Sequence, residues 1–196
     1  MIEKLSQVEY LNRNELFSCL DSLFNECKQV KVSRNLQDYS GNYDEIYNEY
    51  VQLNLKMVEQ MFADYFLDNV LLEETKKIEH TYFVQMPVST YLKFEALRVF
   101  VLKQLGHKVY ATQVKNQMDF VVFDDCAGVV LDFTPEGALK GGFLTTKKSD
   151  VQTLLEVYKT AKQDAVDYLK VVPAENLTKN AINRKIKELK FNLKLK

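Results

Sequence analysis

Four strand-like runs follow one another so closely between residues 108 and 145 that no helix fits between them. Their bounds are 108–114, 119–123, 129–133 and 139–145. Parallel strands need a crossover of about a dozen residues or more, so connections as short as these predict antiparallel pairing. The last connection reads "TPEG", with Pro135 and Gly137 at the positions that a type I turn prefers. This part of the chain therefore predicts an antiparallel meander.

Apolar residues at three- and four-residue spacing predict helices on either side of the meander. The helical segments are 14–27, 44–65, 89–105 and 149–169, and shorter alternating patterns at 28–36 and 80–87 indicate strands. Asp44 is the predicted cap of the second helix, Gly106 ends the third, and Ser149 with Gln152 forms a capping box for the fourth. The fold class predicted is α+β, an antiparallel sheet meander of about four to five strands with helices packed on it.

The chain is long enough to form a core of ordinary size. It has 196 residues, of which 46% are hydrophobic and 27% charged, as is usual for one globular domain that needs neither disulfides nor metal. Pro173 interrupts the helical pattern near the C-terminus. We therefore divide the chain into a single α+β domain, 1–172, and a basic amphipathic C-terminal tail, 173–196.

The tail carries a charge of +6 between residues 179 and 196, whereas the rest of the chain carries −7. This asymmetry leaves three interpretations open. The tail docks its apolar stripe on the domain or on a second copy, or contacts nucleic-acid phosphates, or lies on a membrane surface as an amphipathic helix. The residues predicted to bind nucleic acid in the second case are Lys179, Arg184, Lys185, Lys187 and Lys190.

The sequence predicts a cytoplasmic protein with reduced thiols. No apolar run approaches the roughly 18 residues that a membrane span needs, and the N-terminus lacks the pattern of a signal peptide. Cys19, Cys27 and Cys126 are odd in number and show no C-x-x-C spacing. We expect no membrane span.

Sequence motifs for common chemistries are missing. There is no P-loop, G-x-G-x-x-G, H-E-x-x-H or G-x-S-x-G, and two histidines, His80 and His107, do not suffice for a zinc site. We therefore assign no catalytic residue, metal or cofactor, and we do not expect an enzyme. The glycine pair Gly141 and Gly142 indicates a bulge or close packing within a strand.

The stretch "DFVVFDDCAGVVLDF" concentrates carboxylates at Asp119, Asp124, Asp125 and Asp132. A metal-dependent hydrolase would need such oxygen ligands to converge on one ion. Because side chains alternate along a strand, Asp119 and Asp124 would lie on opposite faces. We therefore interpret Asp124 and Asp125 as part of the turn between two strands.

The order of "MPVSTYLKFE" (86–95), "MDFVVFDD" (118–125), a later glycine and a helix with "YKTAKQDAVDY" resembles a family of uncharacterised bacterial domains. That family is widespread in actinobacteria, is often encoded near helix-turn-helix regulators, and tends to read P-x-S-x-Y-x-x-F-E and D-F-W-x-F-D-D. The resemblance covers residues 15–170 and departs at Val121, where Trp is common, and in the basic tail. It implies a regulatory or mobile-element setting and transfers no activity.

The family pattern makes Tyr91 and Glu95, four residues apart on one helical face, candidate functional or structural polar positions together with Asp119, Asp124 and Asp125. We expect Glu95 to form a buried polar tie between its helix and the hairpin. The predicted function is a non-enzymatic binding or regulatory module that acts through a protein partner, a second copy or a small ligand. The alternatives are a nucleic-acid-associated protein that uses the tail and a metal-dependent hydrolase that uses the hairpin carboxylates.

Overall fold

A computed structural model describes residues 5–35, 45–73, 76–115 and 118–194 of the chain. The N-terminal half contains β1 (Glu9–Asn12), α1 (Arg13–Glu26), β2 (Gln29–Arg34), α2 (Glu45–Val51), α3 (Leu55–Glu73), β3 (Lys77–Phe83) and α4 (Thr90–Gln104). The C-terminal half contains β4 (Lys108–Thr112), β5 (Phe120–Phe123), β6 (Ala127–Phe133), β7 (Leu139–Thr145), α5 (Lys148–Lys162), β8 (Val166–Asp167), α6 (Tyr168–Val171) and α7 (Asn176–Lys194).

The described strands form one eight-stranded mixed sheet in the order β1-β7-β6-β5-β2-β3-β4-β8. Strands β2, β3 and β4 pair in parallel, and the other neighbours pair antiparallel. The prediction of an antiparallel meander with about four to five strands is therefore wrong, although the α+β class stands. The meander covers only β5, β6 and β7.

The error lies in the pairing of β4 with β5. The short connection correctly requires these two strands to run in opposite directions, but β5 pairs with β2 and β6, and β4 pairs with β3 and β8. The chain skips two positions in the sheet between them. Helices α2 and α3 lead from β2 to β3, and α4 leads from β3 to β4, as parallel neighbours require. Strands β1 and β8, of four and two residues, were not predicted.

Helices cover both faces of the sheet. Val32 of β2 and Ile78 of β3 share a core cluster with Leu16 of α1. A second cluster on the same face joins α3, α4 and α7 to β3 and β4. On the opposite face, Phe120 and Val122 of β5 pack against α5. The result is three layers with the sheet in the middle.

The predicted helices need two corrections. The segment 44–65 is divided into α2 and α3 at Leu53, whose φ of +59° is incompatible with a continuous helix, and its proposed cap Asp44 lies outside the described residues. The capping box of Ser149 is also wrong, because α5 starts from Lys147 without a side-chain cap. Gly106, at φ +93°, ends α4 as predicted.

The C-terminal segment forms α7, a helix that packs on the rest of the chain. Ile182 and Ile186 are fully buried in the cluster that holds α3 and α4. This is the contact expected if the apolar stripe docks on the domain. No helix in the described ranges is long and apolar enough to cross a membrane.

Close packing at the glycine pair of β7 is confirmed, because a Cβ added at Gly141 would lie 2.3 Å from the Leu11 carbonyl oxygen of β1. Substituting Gly141→Ala should lower the free energy of unfolding by about 1–3 kcal/mol, since backbone cannot move aside as a side chain can. Denaturant titration measures this loss. Gly128→Ala is the control, because the nearest atom there is Leu154 Cδ1, at 2.5 Å, on a side chain that can rotate. Equal losses in the two variants would contradict the register of β1 on β7.

Candidate functional site

The parallel pair β2 and β3 brings three polar side chains to one face of the sheet. Arg34 stands opposite Tyr82 in the register, and Val32 stands opposite His80. Residues with even numbers on both strands therefore face α1, α3 and α4. Arg34 and Tyr82 lie near the carboxyl ends of their strands, where open α/β sheets usually bind ligands.

Helix α4 adds a second group of polar side chains above this edge. It begins directly after the chain leaves β3, and Ser89 caps it by accepting a hydrogen bond from the Leu92 N–H at 3.1 Å. Tyr91, Glu95 and Arg98 follow at helical spacing, so they lie on one stripe of the helix. This stripe faces Tyr82 and Arg34 across a cavity of about 470 Å³.

Three arginines line this cavity, which we call the arginine cleft. Arg13 comes from α1, Arg34 from β2 and Arg98 from α4. Glu95 is the one carboxylate among the described lining residues. The remaining walls are largely aromatic and are formed by Phe17, Phe62, Tyr65, Tyr82, Tyr91 and Phe133.

Glu95 is a carboxylate held almost entirely away from water. Its residue is 2% exposed, and Arg98 Nη1 lies 2.8 Å from its Oε1. That distance makes an ion pair between the Arg98 guanidinium and the Glu95 carboxylate. The Tyr82 hydroxyl interacts electrostatically with the same carboxylate. Arg98 is therefore the main partner of the buried Glu95 charge.

The two cleft tyrosines are fixed in their protonated form. Burial, followed by the charge of Glu95, raises the pKa of Tyr82 far above its ordinary value. The same two causes raise the pKa of Tyr91. Both hydroxyls therefore remain protonated at neutral pH and can donate a hydrogen bond.

Asp119 lies beside Arg34 without lining the cleft. Its carboxylate accepts a hydrogen bond from the Asn35 N–H, just beyond the end of β2. Burial raises the pKa of Asp119, while the Arg34 charge and the Asn35 hydrogen bond act in the opposite direction. Asp119 thus contributes negative charge on the side of Arg34 that is turned towards β5.

His80 forms the floor of the cleft and is bonded to a second histidine. Its Nε2 lies 2.9 Å from His107 Nδ1, and the two rings are nearly parallel, at 13°. Both residues are buried. Burial, together with the charges of His107 and Arg34, lowers the pKa of His80 well below its usual range, so this ring is neutral. The Nδ1 of His80 is buried without a hydrogen-bond partner.

A second cavity of about 240 Å³ continues along the same face of the sheet, and we call it the apolar cleft. It shares His80, Tyr65 and Leu102 with the arginine cleft. Its remaining lining is mostly apolar and comes from α1 and the sheet, namely Leu20, Phe24, Val30, Val32, Ile78, Val121 and Phe123. Asp21 is the single acidic residue among the described lining.

The structure separates the residues singled out from the sequence. Tyr91 and Glu95 line the arginine cleft, and Asp119 lies beside it. Asp124 and Asp125 lie in the turn between β5 and β6, as interpreted from the sequence. Asp124 contacts Gln29 at the start of β2. The length of the strand places this contact about 17 Å from Arg34 at the other end.

One expectation about a polar residue was wrong. The described contacts of Glu95 are with Arg98 of its own helix and with Tyr82 of β3, and not with the β5–β6 hairpin. His107 is buried against His80. Asp132 of the acidic stretch pairs with Lys140 at 3.2 Å. Within the part of the chain that the structure describes, no group of three or more His, Cys, Asp or Glu residues is placed to hold a metal.

Sequence reasoning missed Arg13, Arg34, Arg98 and Tyr82. They are isolated in the sequence and belong to four different elements, so no spacing relates them. The stripe from Tyr91 through Glu95 to Arg98 was the one local signal. It would have identified Arg98, which lies three residues after Glu95.

The basic side chains of α7 lie away from both clefts. Arg184 and Lys187 are exposed. Lys185 Nζ donates to Gln60 Oε1 at 2.8 Å, and Lys190 Nζ lies 5.1 Å from the centre of the Phe66 ring. Both contacts hold α7 on α3. The nucleic-acid role of these residues stays a prediction.

A family model for a domain of unknown function, DUF6879, matches residues 21–172. The chain belongs to the DUF6879 family. Membership confirms the expected relation to an uncharacterised domain family. The matched region of this DUF6879 protein contains β2, β3 and α4, and therefore every cleft residue described above except Arg13 and Phe17 of α1 and Leu20 at its rim.

A comparison with curated proteins finds no match. Among solved structures, one similar chain is described as "Structure of TrmBL2, an archaeal chromatin protein, shows a novel mode of DNA binding". It has 8% sequence identity and a TM-score of 0.45, over 84% of this chain and 55% of that chain. This DUF6879 protein thus spans about half the length of that chain.

Asp124 is predicted to support the turn. Its carboxylate accepts hydrogen bonds from the Lys28 and Gln29 N–H groups, the second at 2.8 Å, and its φ is +50°. Asp124→Ala should cost about 1–2 kcal/mol of stability, because it removes the acceptor and disfavours a positive φ. Asp124→Asn is the matched control and should cost much less, since an amide oxygen accepts the same bonds. Chemical denaturation of both variants measures the difference. Equal stability of the two would contradict this role.

His80 should make the stability of the protein depend on pH. A pKa lowered by folding gives stability that is complete above the unfolded pKa of about 6.5 and is lost as the pH falls towards the folded pKa. Between pH 7 and pH 5 the wild-type protein should therefore lose up to about 2 kcal/mol more stability than His80→Phe. Denaturation midpoints measured across this range test the prediction. Parallel pH profiles for the two proteins would show that His80 is not held neutral.

Proposed function

We propose that this DUF6879 protein is a non-enzymatic binding module whose arginine cleft holds a small anionic ligand. The single observation that carries the proposal is the convergence of Arg13, Arg34 and Arg98, from three separate elements, on one cavity of about 470 Å³. That volume lies within the range of about 300–1,000 Å³ typical of small-molecule sites. The position at the carboxyl ends of parallel strands supports the same conclusion.

The charge balance of the cleft favours an anion. Among the described lining residues, three guanidinium groups face one carboxylate, Glu95, and His80 is neutral. Asp119 interacts with Arg34, and including it still leaves a positive balance. A guanidinium offers planar, paired N–H donors that match a carboxylate or phosphate.

Glu95 acts in this proposal as a positioning residue. Taking a carboxylate out of water costs several kcal/mol, which the Arg98 ion pair and the Tyr82 hydroxyl offset. In return, the carboxylate fixes the Arg98 guanidinium at the wall of the cleft. A pre-positioned guanidinium loses less conformational freedom when it binds its ligand.

The setting of this binding module stays a prediction. A regulatory or mobile-element role was implied by the family resemblance alone. The two alternatives, a nucleic-acid-associated protein and a metal-dependent hydrolase, likewise stay predictions. The arginines of the cleft, which support ligand binding, do not support either of them.

Arg34→Gln should weaken the binding of inorganic phosphate or acetate by at least about ten-fold, because it removes a charge-assisted hydrogen bond from the cleft. Calorimetric titration, or chemical shifts of the cleft residues during titration, measures the affinity. Arg184→Gln on α7 is the matched control, since Arg184 is exposed and lies outside the cleft. Its affinity should equal that of the wild-type protein. Equal weakening in both variants, or no binding of either anion to the wild-type protein, would contradict the proposal.

A further inference from the structure

We infer that the ligand is an amphiphilic anion, with its carboxylate or phosphate head among the arginines and its apolar body in the adjoining apolar cleft. This inference rests on the proposed function, because the arginine cleft must bind the head. It adds the chemical class of the rest of the ligand.

The two clefts adjoin and together form a groove on one face of the sheet. Tyr65 of α3, Leu102 of α4 and His80 of β3 line both of them. A ligand long enough to extend past these three side chains therefore occupies both clefts. Helix α1 forms one side of the groove, α3 and α4 form the other, and β2 and β3 form its floor.

The chemistry of the lining changes along the groove. The arginines are confined to the end where β2 and β3 finish, whereas the far end is lined by Val30, Ile78 and Phe123. The one described charge at the far end is Asp21, which repels an anionic head. The charge distribution thus fixes the direction of the ligand, with its head towards Arg34 and its body towards Asp21 and Phe24.

An apolar body gains affinity in such a groove. The apolar cleft has a volume of about 240 Å³ and is open to solvent at the half-buried side chains of Leu20 and Phe24. Water against these side chains finds few hydrogen-bond partners, so an apolar group that displaces it binds more tightly.

One buried polar atom lies on the path of the ligand. His80 Nδ1 lies where the clefts join and has no hydrogen-bond partner. Buried polar atoms in folded proteins are nearly always hydrogen-bonded. A ligand with a polar atom at the start of its apolar body can satisfy His80 Nδ1.

A series of straight-chain carboxylates from acetate to octanoate tests the inference by calorimetric titration. Affinity for the wild-type protein should rise by up to about three- to four-fold for each added methylene, until the apolar cleft is filled. Leu20→Glu places a charge at the half-buried rim of the apolar cleft and should abolish this rise. Arg34→Gln should instead weaken all chain lengths by a similar factor.

Two controls make the result specific. Leu177→Glu makes the same substitution at a leucine that is 79% exposed on α7, and should preserve the rise with chain length. 1-Octanol has a comparable chain without the carboxylate, and should bind at least about ten-fold more weakly than octanoate.

The outcomes separate the two proposals. If acetate binds through Arg34 but the affinity does not change with chain length, the inference of an amphiphilic ligand is wrong and the proposed anion site is retained. If no carboxylate binds, both fail. If the rise survives in Leu20→Glu, the apolar body lies elsewhere and the inference is overturned. A dimer in sedimentation experiments that Leu20→Glu dissociates would show that a second copy occupies the groove, which also overturns it.

Discussion

The parallel register of β2 on β3 is the constraint on which the rest of the site depends. It places Arg34 beside Tyr82 and Val32 beside His80. These residues lie on the face of the sheet that α1 and α3 cover only in part. A shift of β2 by one residue against β3 would turn Arg34 to the α5 face, because strand side chains alternate. The apolar residues of both strands hold the register, since Val30, Val32 and Ile78 must face the α1 cluster.

The burial of the Glu95 carboxylate is a second constraint on the site, and this constraint is electrostatic. A carboxylate that is 2% exposed needs partners, and it finds them in Arg98 on its own helix and in the Tyr82 hydroxyl on β3. The same carboxylate raises the pKa of Tyr82, Tyr91 and Tyr168, in each case after the larger effect of burial. Helix α4 is thus tied to β3 by polar contacts, and these contacts also fix the wall of the arginine cleft.

The groove exists because two groups of helices share one face of the sheet without meeting over its middle. Helix α1 packs on β7 and the strands beside it, whereas α3, α4 and α7 form a separate cluster over β3 and β4. The central strands between them carry His80 and a row of valine and isoleucine side chains. Concave sites lined mainly by apolar groups with a few convergent polar ones are those that bind small molecules.

Local patterns could be predicted where neighbours along the chain decide the outcome. The periodicity of α1 and α4, the glycine that ends α4, the β5–β7 meander and the turn at Asp124 are of this kind. Tyr91 and Glu95 were also identified, because their spacing lies within one helix. The division at Leu53 was missed because leucine rarely adopts a positive φ. The short edge strands β1 and β8 were missed because their pairing depends on tertiary contacts.

The sequence by itself determined the class of the fold, most of its helices and the opposite directions of β4 and β5. Only the tertiary structure decided that β5 pairs with β2, that the sheet has eight described strands, and that Arg13, Arg34 and Arg98 meet. The physical reason is that connection length limits the direction of a strand but not its neighbour, which depends on the side chains that must be buried together. Residues from α1, β2 and α4 have no relation in sequence, so their convergence follows from packing alone.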